Sequence, residues 1–75
     1  MELTKRRARD MAADLTERGV SLVTQGRVQE AVDQFTKAIA MDPDYRPAWA
    51  KRAEAYLRLG LSQKAEEDQH RLEGN

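Results

Sequence analysis

Apolar residues recur along the chain at intervals of three and four, and no stretch alternates with period two for long. That spacing predicts helices and no sheet. The first stripe reads Leu3, Ala8, Met11, Ala12, Leu15, Gly19, Leu22 and Val23 and ends at Gly26, with Thr4 as its expected N-cap. The second, Val28, Ala31, Val32, Phe35, Ala38 and Ile39, stops at Asp42-Pro43, because proline cannot continue the hydrogen-bond ladder. A third helix is expected from an Asp44 cap, with Pro47 inside its first turn and Trp49, Ala53, Tyr56 and Leu57 leading to Gly60. A fourth runs from a Ser62 cap through Ala65 to Leu72, with Glu66, Glu67 and Asp68 near its positive end. Short turns make consecutive helices antiparallel, so the expectation is an all-α chain of two helical hairpins.

A shift of 34 residues superposes Gly26 on Gly60, Ala31 on Ala65, Arg18 on Arg52 and Gln29 on Gln63. Similar classes follow, with Leu15 on Trp49, Gly19 on Ala53, Leu22 on Tyr56 and Val23 on Leu57. The recurrence of small on small has a physical reason. Two helices approach closely only where Gly or Ala faces the partner's bulk, here Gly19 or Ala53 opposite a residue such as Phe35. Gly26 and Gly60 let the chain reverse without the Cβ penalty of a left-handed turn.

With this period the sequence resembles the tetratricopeptide repeat (TPR) family. Leu15, Gly19, Leu22, Gly26, Ala31, Phe35, Ala38 and Pro43 carry the resemblance in the first unit, and Trp49, Ala53, Tyr56, Gly60 and Ala65 in the second. It implies an α-α superhelix of two hairpins, with repeat 1 at residues 12–45 and an incomplete repeat 2 at 46–75. Residues 1–11 would extend the first helix as a basic N-terminal segment, and 1–75 would form a single domain. The last helix departs from the family pattern, with Gln69 where a bulky aromatic is usual and Leu72 where a small residue is usual. A polar last helix suits the end of a solenoid, where one face meets water. About two repeats is fewer than the three or so that usually make an independent fold. A partner, a second copy or the lengthened first helix is therefore expected to complete the core.

Composition narrows what such a module could do. The chain has 75 residues, about half of a typical ~150-residue domain, and eleven of its thirty apolar residues are alanine. There is no cysteine and one histidine, which removes disulfides, thiol chemistry and a His cluster for metal. His70 lies on a polar helix near Glu66 and Glu73, and such a pair without nucleophile, cleft or oxyanion donors is not catalytic. Neither enzyme activity, metal nor cofactor is expected. Thirteen basic residues balance thirteen acidic ones, so no global field steers the chain toward nucleic acid or a membrane. No apolar run approaches a membrane span. A cytoplasmic protein is expected, with the nucleus as the alternative.

The resemblance also implies where binding would occur. TPR proteins hold peptides or helices of other proteins in the concave surface made by the first helix of each hairpin. The matching positions are Ala13, Thr16, Val20, Val23 and Thr24, then Pro47, Ala50, Lys51, Glu54, Leu57 and Arg58. Co-chaperone-type TPR domains, which the repeats resemble in flavour, use this surface as a carboxylate clamp for the acidic tails of heat-shock chaperones. Here the clamp positions hold Thr16, Val20 and Lys51, so a chaperone C-terminal tail is a less favoured partner. The expected function is that of an adaptor or scaffold binding a peptide or helix of a partner protein.

Two alternatives rest on charge. Lys5, Arg6, Arg7 and Arg9 form the densest basic run, which could bind nucleic acid or an anionic surface. No aromatic is interleaved to stack bases, and Glu2 and Asp10 flank the run, so a solvated helix face is the plainer reading. The two ends also differ in sign: residues 1–11 carry four basic and two acidic groups, and residues 62–75 carry two and four. Opposite ends permit head-to-tail self-association, in which oligomerisation would supply the missing stability.

Overall fold

The computed structural model describes residues 2–74, with side chains described from Thr4 to Gly74. Leu3, at the head of the first stripe, therefore lies outside the described side chains. Four helices follow one another: α1 (Glu2–Thr24), α2 (Val28–Met41), α3 (Arg46–Arg58) and α4 (Ser62–Leu72). They pair as the hairpins α1/α2 and α3/α4, with α3 also lying against α2 and α1, whereas α4 packs on α3 alone. The two expected hairpins, the lengthened first helix and the polar last helix are all present. The result is a slab 39 × 30 × 13 Å across its Cα atoms.

Both first helices end in the same backbone motif, 34 residues apart. The Gly26 and Gly60 amides donate to the carbonyls of Val23 and Leu57, at 2.9 and 3.0 Å. The next amides, of Arg27 and Leu61, reach back to Leu22 and Tyr56, each at 2.8 Å. This is the Schellman closure, and it needs a left-handed residue at the glycine. Gly26 and Gly60 supply it at φ +82° and +77°.

The other helix boundaries correct the expected caps. Thr4 lies inside α1, which is already helical at Glu2. Asp44 does not cap α3. The Asp42 side chain accepts a hydrogen bond from the Asp44 amide at 3.1 Å, a local turn that carries the chain on to Tyr45 in the capping position, with Pro47 in the first turn. Ser62 is the first residue of α4 rather than its cap, because the closure at Gly60 places Leu61 there. None of α2, α3 and α4 has a side-chain cap.

At the start of α2 an exposed ion pair spans the first turn. The Arg27 guanidinium donates to both carboxylate oxygens of Glu30, at 2.9 and 2.7 Å. These hydrogen bonds hold the Glu30 carboxyl below its ordinary value of 4.5 and raise Arg27. A lowered folded-state value means the pair contributes above the ordinary carboxylate range and is lost as pH falls through the lower one. In an NMR titration the Glu30 carboxyl is expected to titrate below 4.5 and to rise in Arg27→Ala. An unchanged midpoint would refute the pair.

Among the described residues the buried apolar ones are seven alanines, Val32 and Phe35. This is a core of close backbone approach rather than of large side chains. One cluster joins Ala31, Val32, Phe35 and Ala55, with Leu22, Val23, Tyr56 and Leu59 around it. The other joins Ala12, Ala38 and Ala48. At the centre, Phe35 is fully buried and its ring occupies the space where Gly19 has no side chain.

The α3/α4 seam is built differently, because α4 buries only Ala65 and a carboxylate, Asp68. Arg52 donates to both Asp68 oxygens at 2.8 Å and to the Thr36 hydroxyl of α2 at 3.1 Å. Its Asp68 hydrogen bonds raise the Arg52 pKa. Cations and rings then alternate along the seam. Arg52 lies over Trp49 and Tyr56, Arg71 over Trp49 and Lys64 over Tyr56, at 5.2 to 5.9 Å from the ring centroids. The Trp49 indole N–H is satisfied by the Pro43 carbonyl at 2.8 Å. Trp49 and Tyr56 are thus hairpin-seam residues, as their repeat positions imply.

Candidate functional site

The first helices of the two hairpins, α1 and α3, lie in contact, and a cavity of about 100 Å³ opens between them. Helical spacing brings its walls together: Val20, Val23 and Thr24 from α1, and Lys51, Glu54, Ala55 and Arg58 from α3. Phe35 of α2, fully buried, closes the inner side. The inner wall is therefore apolar and the charges belong to α3. Lys51 stands 3.8 Å from Glu54 one turn along the helix. Among the described residues no carboxylate pairs with Arg58.

Six of the eleven residues expected on the groove meet around this cavity: Val20, Val23, Thr24, Lys51, Glu54 and Arg58. Ala13 and Ala50 are half-buried, and Pro47 and Leu57 are exposed, all four outside its lining. Thr16 corrects the expectation. It is 5% exposed and its hydroxyl donates to the Ala12 carbonyl at 2.7 Å. That bond uses the hydroxyl's one donor inside its own helix, and burial keeps the oxygen out of a ligand's reach. Phe35 and Ala55 line the cavity without having been expected there. Both sit at apolar helical spacing and read as core, which they also are. The signal that could have found Phe35 is Gly19, the gap through which its ring reaches toward α1.

The basic run lies elsewhere. Lys5, Arg6 and Arg9 line a recess of about 610 Å³ with Thr4, Ala8, Met41, Asp42 and Asp44. Arg9 stands 3.9 Å from Asp42, and Arg7 is exposed outside the recess. The recess is thus of mixed sign, with two carboxylates facing the cations. At the other end, every exposed residue of α4 is polar. Among the described residues, no group of three or more His, Cys, Asp or Glu could hold a metal ion. No described helix is long and apolar enough to cross a membrane.

Comparison with known proteins agrees with this architecture. The chain is 40% identical over 50 residues to the uncharacterized protein MJ0572 of Methanocaldococcus jannaschii, covering 67% of this chain and 58% of that protein. It is also 40% identical over 48 residues to the TPR repeat-containing thioredoxin TTL4 of Arabidopsis thaliana, covering 64% of this chain and 7% of that protein. The chain thus spans about half of one relative and a small part of the other. No solved structure matches. The sequence profile of the tetratricopeptide repeat matches residues 16–73, the span that holds both Schellman-closed hairpins and the cavity between their first helices. The chain belongs to the tetratricopeptide repeat family.

Proposed function

We propose that this chain is a protein-interaction module, holding a peptide or helix of a partner protein on the face that α1 and α3 make together. TPR repeats generally mediate protein–protein interaction, and the two units that would share this task are residues 12–45 and 46–75. The carrying observation is Val20, a large apolar side chain 39% exposed beside a cavity whose inner wall is apolar. An exposed apolar residue beside a concave apolar surface is the usual form of a helix- or peptide-binding groove. The reading is that of a non-catalytic adaptor, and the cytoplasm is the compartment we assign to it. The positions resembling the chaperone clamp favour a different ligand. Thr16 is buried, Val20 is apolar, and Lys51 lies beside Glu54.

Val20→Glu tests the proposal. The side chain is exposed enough that the change is expected to leave the melting temperature within ~2–4 °C, since surface substitutions usually stay within ~0.5 kcal/mol. It should abolish retention of the protein partner that the immobilised wild-type chain draws from lysate. A variant that still retains that partner at wild-type strength would place the binding face elsewhere.

A further inference from the structure

The cavity between α1 and α3 says more about its occupant than that it is a protein. At about 100 Å³ the cavity is small beside the ~300–1,000 Å³ of a small-molecule pocket, and it suits a single side chain of a ligand whose backbone stays outside. Val20 and Val23 offer such a side chain apolar contact, over a floor made by the buried Phe35 and Ala55. The polar part of the lining is charged and uneven. Lys51 and Glu54 lie 3.8 Å apart and offset each other, while Arg58 has no carboxylate partner among the described residues. Its guanidinium is left with a fork of donors that matches a carboxylate in a bidentate way. The residual charge of this wall is therefore positive, one turn beyond an apolar socket.

Resting on the groove assignment above, we infer that the partner segment carries one branched aliphatic residue, Val, Leu or Ile, which enters the cavity, and an Asp or Glu within two residues of it, which pairs with Arg58. The aliphatic residue supplies affinity and the carboxylate fixes direction along the groove. This differs from recognition of an acidic tail, because the ion pair is single and the apolar socket comes first.

Panning the intact chain against a phage-displayed library of random heptapeptides tests this without knowing the partner. The wild type is expected to enrich peptides with a branched aliphatic residue and an acidic residue within two positions. Replacing the aliphatic residue of a selected peptide by Ala should weaken binding about tenfold or more. Arg58→Glu should keep the aliphatic residue and replace the acidic one by Lys or Arg. A role for Arg58 only at the end of its helix would shift melting and leave that choice untouched. Enrichment of neither feature, or the same acidic peptides from Arg58→Glu, would overturn the inference. A different consensus that Val20→Glu abolishes would overturn it and leave the groove standing, whereas peptides that bind Val20→Glu unchanged would remove both.

Discussion

Gly19→Ala is expected to destabilise the chain by about 1–2 kcal/mol net, although it replaces a helix-interior glycine by the best helix former. Propensity alone would favour alanine by ~1 kcal/mol. The ring of Phe35 reverses the sign. A Cβ on Gly19 would lie 2.7 Å from its Cδ1 and Cζ and closer still to Cε1, well inside any contact real atoms adopt. Phe35 is fully buried, so it can retreat only by pushing α2 away from α1, and overpacking of this kind costs ~1–3 kcal/mol, occasionally more. A chain of 75 residues has only ~4–11 kcal/mol of total stability at ~0.05–0.15 kcal/mol per residue. Urea unfolding should show the loss directly. Phe35→Leu in the Gly19→Ala background should recover part of it, with a coupling of ~1 kcal/mol or more, as expected for residues in contact. A Gly19→Ala variant more stable than wild type would mean that the two helices do not approach at this point.

Asp68→Ala is expected to have a somewhat larger effect by another route. It removes the carboxylate that accepts two hydrogen bonds from Arg52 and leaves a guanidinium only 15% exposed in the seam. Breaking a buried pair from one side costs ~3–5 kcal/mol, and the remaining exposure of Arg52 brings the expectation to about 2–3 kcal/mol. The loss should fall on α4, which packs on α3 alone, so its amides should exchange with solvent before those of α1 and α2. Trp49, between Arg52 and Arg71, should change its fluorescence in the same transition. Replacing both partners, as Arg52→Met with Asp68→Leu, should return most of the stability, since apolar residues of similar volume often substitute for such a pair without loss. If Asp68→Ala melts like wild type, the Arg52–Asp68 pair adds nothing net to the seam.

Sequence and structure agree most closely where one rule acts locally. The two glycine closures follow from the 34-residue repeat, and the facing of Gly19 by Phe35 follows from the need of one small residue per close approach. The caps were the weakest expectation because several polar residues compete at each boundary: Asp42 rather than Asp44 closes the turn before α3, and the glycine closure fixes where α4 begins. The Arg52–Asp68 pair joins residues 16 apart on two helices, a distance at which helical spacing gives no hint. In the candidate site, α1 and α3 present Val20 and Arg58 as expected positions, whereas Thr16 turns inward where α1 meets its neighbours. Phe35 escaped notice because a residue can be core and wall at once.

That double placement of Phe35 ties occupancy to endurance. In a slab 13 Å thick, a ligand side chain held between α1 and α3 as proposed would sit directly above the buried Phe35, so binding there would bear on the interior. A ligand present at a hundred times its Kd and binding only the folded chain adds ~2.7 kcal/mol, a large share of what so small a molecule possesses. Its melting point then doubles as a gauge of its company, and mutations that loosen the interior must also alter the grip.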